Sequence, residues 1–119
     1  MEDFTPEEIQ EIKDRFLEKI HTHLDLNEIV KEGMKNAHVK LTHIQQADCR
    51  RLLSDIFRGF AGQTHCLGSF TSAVMRNDLH GTILHGTDSS VKLLPVFVWA
   101  IHMNVPYPLV DEAHKPKQK

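Results

Sequence analysis

Cysteine is scarce in this chain, with two residues, and tryptophan and tyrosine occur once each. Two cysteines close one bridge at most, so a disulfide scaffold is excluded and a hydrophobic core must hold the fold. No apolar run approaches the ~20 residues a membrane-spanning helix needs, so no membrane partner is expected. An excess of one charge is missing too: 14 Lys and Arg stand against 16 Asp and Glu, a formal net charge of −2. That balance argues against nucleic acid as a partner. The basic cluster of Arg50, Arg51 and Arg58 is interleaved with Asp48 and Asp55, and the terminal KPKQK is short. The opening MEDFTPEE lacks the basic-then-apolar order of a signal peptide, which points to a reducing cytoplasm as the simplest location.

What is present suits one soluble globular unit. The 119 residues are 40% hydrophobic and 25% charged, ordinary values for a chain that buries its own core. Residues 1–110 are expected to form a single helical domain, with 111–119 a frayed polar tail.

The helix signals begin early. Thr5-Pro6-Glu7-Glu8 combines an N-cap, a proline at the first helical position and a glutamate at the third. Ile9, Ile12, Phe16, Ile20 and Leu24 then form one stripe with Leu17 on its flank, and Lys13 falls within it and must snorkel. Asp25-Leu26-Asn27-Glu28 repeats the capping-box logic ahead of a short helix over 26–36, weakened by Gly33. Thr42-His43-Ile44-Gln45 opens a third helix to about Phe60. Cys49, Leu52, Leu53, Ile56 and Phe60 are its buried face; Asp48, Arg51, Asp55 and Arg58 lie opposite as solvated ion pairs.

The chain is organised around positions 68–106. Ser69 is read as an N-cap, and Phe70, Ala73, Val74 and Asn77 fall on one helical face. On that face the Asn77 amide is expected to be buried and to pin the 79–87 connection, with Gly81 as a left-handed helix end. Asp88 is read as the next N-cap. From 93 to 103 nearly every residue is apolar, which predicts a central buried helix with Pro95 in its first turn or at a kink. A buried strand, VFVWAI, is the competing reading. Pro106 and Pro108 close the segment. The expected fold is therefore all-α: a single-domain bundle of five or six helices around a buried C-terminal helix.

The order G-S-F-x-x-A-V-x-x-N-D-L is carried by Gly68, Ser69, Phe70, Ala73, Val74, Asn77, Asp78 and Leu79, and Gly81, Leu94, Val98, Ile101 and Pro106 follow at set intervals. This pattern resembles a family of small, mostly uncharacterised helical proteins found in bacteriophage and prophage genomes. The chain departs from the family's usual residues at Gly86-Thr87 and Ser90, and it lacks the tryptophans that often follow the closing proline. The resemblance implies a phage-type accessory protein in the host cytoplasm and carries no established active site.

Nine histidines raise the question of metal. Helical metal pairs want i, i+3 or i, i+4 spacing, whereas His38/His43 and His80/His85 are five apart, so no metal or cofactor is expected. His65-Cys66 precedes a helix start, where a thiol can be activated, but no orienting third group is evident. Cys49 lies on an apolar stripe and reads as core. Free N–H groups at two helix starts, with Ser69 and Thr71 at one and Arg76 or Lys92 to supply charge, offer a cradle for an anion; plain N-capping is the simpler reading. Asn77 and Asp78 with His80 form a polar cluster that either closes a loop or meets a ligand, and His85 is a further candidate ligand contact.

These features point to binding without catalysis. The expected partner is a host protein, in a role that counters host defence, or a small nucleotide-like anion, and a homo-oligomer is expected. A small hydrolase or lyase using Asp78, His80 and His85 is the enzyme alternative, and a purely structural interaction module is the third.

Overall fold

The computed structural model describes residues 4–114, apart from the side chain of Cys66. Among the described residues there are eight α-helices, one 3-10 turn (Thr64–Cys66) and no strand. The helices are α1 (Pro6–Thr22), α2 (Leu26–Asn36), α3 (His43–Phe60), α4 (Ser69–Met75), α5 (Leu79–His85), α6 (Asp88–Val91), α7 (Leu94–Asn104) and α8 (Tyr107–His114). No helix among them is long and apolar enough to cross a membrane. The all-α expectation holds, and the strand reading of VFVWAI does not.

The first and third helices start as their sequences dictate. The Thr5 hydroxyl accepts from the Glu8 N–H at 3.2 Å, and the Glu8 carboxylate accepts from the Thr5 N–H at 2.9 Å. Thr42 and Gln45 repeat this at 3.1 and 2.9 Å. Asp25 caps α2 one way only, through the Asn27 and Glu28 N–H groups at 3.0 and 3.3 Å. Two later starts sit one residue earlier than expected. Gly68, not Ser69, is the N-cap of α4, and Thr87, not Asp88, is the N-cap of α6. Thr87 wins because its hydroxyl reaches the Ser90 N–H at 3.1 Å while the Ser90 hydroxyl accepts from the Thr87 N–H at 2.8 Å.

Three helices end in the same way. After α2, α3 and α4 a residue takes a left-handed backbone: His38 (φ 55°), Gly62 (φ 100°) and Asn77 (φ 58°). In each case the next N–H reaches back across the last turn: Val39 to Met34 O at 2.9 Å, Gln63 to Arg58 O at 2.9 Å and Asp78 to Ala73 O at 2.8 Å. This is the Schellman arrangement, in which orphan carbonyls gain donors. Glycine adopts the required φ freely, asparagine tolerates it, and histidine is a strained choice. His38→Gly is therefore expected to stabilise the fold by about 0.5–1 kcal/mol, less whatever the freer unfolded chain takes back. The readout is a higher urea midpoint at unchanged slope.

These stops explain why the helices number eight rather than five or six. Asn77 halts α4 after Met75, and Asp78 restarts the chain as the N-cap of α5. Gly81 is buried inside α5 and ends nothing. Pro95 stands in the first turn of α7, as one of the two expectations had it, and the helix begins at Leu94. Pro106 stops α7, but Pro108 falls in the first turn of α8, where its missing N–H costs nothing. So 107–114 is helical, Leu109 is buried in the core, and the greasy helix is not the last. The expected tail is helical through His114, and its remainder, 115–119, lies outside the described residues.

One hydrophobic cluster joins α1, α2, α3, α4, α7 and α8. Phe16 of α1 meets Phe57 of α3 edge-on, with ring centroids 5.8 Å apart. Val96, Phe97 and Ala100 of α7 are fully buried, and Phe97 lies 6.3 Å from the ring of Phe70 on α4. α2 packs on α7 through Gly33, whose backbone lies close enough to Val96 and Trp99 that an added Cβ would stand 2.8 Å from Val96 Cγ1. The glycine read as a weakness is thus the contact point between two helices. α7 itself is buried on one side only: Val98 is 64% exposed, and His102 and Met103 are exposed as well. Lys13 snorkels as expected, and its Nζ reaches Glu112 of α8 at 2.9 Å.

Candidate functional site

α4 and α5 form a short antiparallel hairpin. Ala73 stands beside Gly81, and Phe70 stands beside Gly86. Six of the eight expected site residues lie on these two helices or as their capping residues, the others being Asn77 and Lys92. Ser69, Arg76, Asp78 and His85 line a polar cleft of about 330 Å³. Ser69, Thr71 and His85 also line an adjoining cleft of about 530 Å³ with Arg51 and Asp55 of α3. The N-terminus of α4 carries no side-chain cap.

Several of these groups are already engaged. The Thr71 side chain is buried; its hydroxyl accepts from the Gly68 N–H at 2.9 Å and donates to the Gly68 carbonyl at 3.2 Å. The Asp78 carboxylate caps α5 through the Gly81 N–H at 3.0 Å. Arg51 lies 3.7 Å from Asp48. The charge in the clefts is mixed, since Arg51 and Arg76 line them together with Asp55 and Asp78.

Three expected residues are elsewhere. His80 and Lys92 are exposed and line neither cleft. Asn77 is exposed, so the expected buried amide is corrected: its backbone, not its side chain, terminates α4. The ion-pair face of α3 is thinner than expected, since Arg58 donates to Ser54 Oγ at 3.1 Å instead of pairing with a carboxylate.

Two apolar surfaces were not anticipated. The first is α5, which is turned inside out. Its small residues Gly81 and Thr82 are buried against α4, while Leu79, Ile83 and Leu84 are 71%, 54% and 66% exposed. Thr82 is satisfied there, donating to the Leu79 carbonyl at 2.7 Å. Fully burying a leucine or isoleucine is worth about 1.5–3 kcal/mol, so this orientation forgoes on the order of 5 kcal/mol. The sequence signal was present in L-H-G-T-I-L: the small residues that allow close helix approach fall on one side and the large ones on the other.

The second surface is a groove of about 430 Å³ between α4, α7 and α8. Val74, Ile101 and Val105 are its buried floor, Val98 and Val110 stand on its walls, and Asn77, His102, Tyr107 and His114 contribute its polar atoms. Sequence reasoning missed it by assigning Val98 to the core.

Among the described residues no group of three or more His, Cys, Asp or Glu is placed to hold a metal ion. The reading that pairs His65 with Cys66 falls on a side chain outside the described residues. Cys49 is free and buried among core residues of α3, and burial pushes its thiol from 9.0 to about 12. Between those values the folded chain keeps a proton that the unfolded chain has lost, so stability falls as pH rises from 9 toward 12. At neutral pH Cys49 is expected to resist iodoacetamide until denaturant opens the core, which mass spectrometry of alkylated peptides reads directly.

Comparison with protein-family models, curated proteins and solved structures finds no match.

Proposed function

We propose that this chain is a binding protein that docks another protein on the outward face of α5. The observation that carries the reading is the inverted burial of that helix, Gly81 and Thr82 inside and Leu79, Ile83 and Leu84 outside. Exposed apolar side chains grouped on one short element mark an interaction surface, and a partner that covers them recovers the burial energy the isolated chain forgoes. The resemblance to phage and prophage proteins supplies the setting: an accessory protein in the host cytoplasm whose partner is a host factor, with a second copy of the chain as the homo-oligomeric alternative.

A smaller anionic ligand is the second reading. It is favoured by the uncapped N-terminus of α4 opening beside Ser69, Arg76 and His85. Asp78 in the same cleft works against a multiply charged phosphate. The hydrolase or lyase alternative has less support, because Asp78 is committed to its cap and His80 lies outside the cleft that His85 lines.

Ile83→Glu with Leu84→Glu tests the docking face. Both side chains point to water, so the pair is expected to leave the melting temperature within a few degrees. Affinity capture from lysate of the native host, wild type against variant, is expected to lose its specific partner. Native mass spectrometry reads the self-association arm. An unchanged partner set and an unchanged oligomeric state would remove α5 as the docking face.

A further inference from the structure

We propose that the groove between α4, α7 and α8 binds a small amphiphile: an apolar body of medium-chain fatty-acid size ending in one carboxylate. The site is separate from the α5 face, so either reading can fail alone. Its volume of about 430 Å³ falls in the range of small-molecule sites, and its floor and walls are aliphatic. Such a lining selects for hydrocarbon.

The polar atoms choose the other end of the ligand. Asn77, His102, Tyr107 and His114 each offer at least one N–H or O–H donor, and all four are exposed, at the rim. Among the described residues, no hydrogen bond or ion pair engages these four side chains. Among the described residues no carboxylate lines the groove. Neither α4 nor α7 contains Asp or Glu; on α8, Asp111 and Glu112 are both outside the described lining, and Glu112 pairs with Lys13 at 2.9 Å. A cationic head group would find no counter-charge among the described lining residues. Among the described lining residues a phosphate would find no lysine or arginine. A single carboxylate fits donors of this kind, since hydrogen bonds to an ionised acceptor are about twice as strong as neutral ones.

Isothermal titration of the full chain with octanoate, decanoate and dodecanoate, each below its micelle concentration, tests the site. The expected result is one site per chain, with affinity rising about fourfold for each added methylene. Decanol is expected to bind about tenfold more weakly than decanoate, and decyltrimethylammonium without saturation. Val98→Glu places a charge in the wall at an exposed position and is expected to weaken decanoate binding more than about tenfold. His102→Ala with His114→Ala removes two of the donors and is expected to shrink the preference for decanoate over decanol. Ile44→Glu, exposed on α3 and remote from the lining, is expected to change neither. Absence of saturable decanoate binding would overturn the proposal. So would several sites per chain that survive Val98→Glu, or equal affinity for decanoate and decanol in the wild type.

Discussion

Phe97→Ala is expected to cost about 3–5 kcal/mol, a large part of the 5–15 kcal/mol that holds a domain of this size together. Phe97 is fully buried in α7 and carries the ring contact to Phe70 of α4. Its removal takes away apolar area and leaves a cavity in a region where Val96 and Ala100 are fully buried too. The neighbouring Val98→Ala is expected to change stability by less than about 0.5 kcal/mol, since that side chain faces the open groove. Urea unfolding of the two variants therefore separates the two sides of one helix. Similar losses from both would mean that α7 is enclosed all round, as its composition suggests.

Gly33→Val is expected to destabilise by about 3 kcal/mol, against the ordinary rule that replacing a mid-helix glycine helps. An added Cβ at Gly33 would stand 2.8 Å from Val96 Cγ1 and 3.3 Å from Trp99 Cε3. Val96 cannot swing aside, because a β-branched side chain in a helix has one strongly preferred rotamer. The extra methyls of valine make the clash worse, so α2 and α7 must separate. Thermal melts of Gly33→Ala and Gly33→Val are expected to fall in that order. A rise for Gly33→Ala would show that α2 can slide without loss.

The starts of α1 and α3 were legible because they are local. Thr5 with Glu8 and Thr42 with Gln45 are reciprocal pairs that need nothing from the rest of the chain. The stripe of α1 was legible for the same reason: Phe16 is buried and Ile9, Ile12, Leu17, Ile20 and Leu24 pack around the core. The stops were harder to see. Asn77 continues the apolar period of α4 in sequence, yet its left-handed backbone ends the helix, and the period cannot report φ. Which side of a short helix faces inward was harder still. α5 turns its glycine to Ala73 and its leucines to water because close approach of α4 and α5 admits only the small side. Composition alone would have reversed it, as it closed α7 on all sides. Of the candidate site, Ser69 with Arg76 and Asp78 with His80 were legible only as two separate features; the α4–α5 hairpin brings Ser69, Arg76, Asp78 and His85 to one cleft, which spacing along the chain does not report. The apolar groove was not legible, since it exists only where α8 is brought against α4 near the end of α7.

Carbene footprinting of the isolated chain, resolved to single residues, tests the arrangement most directly. Heavy labelling of Leu79, Ile83 and Leu84 with protection of Leu93, Val96 and Phe97 is the predicted pattern. Protection of the α5 leucines at concentrations where the chain is monomeric would contradict it, for that helix would then face the core and offer nothing to a partner.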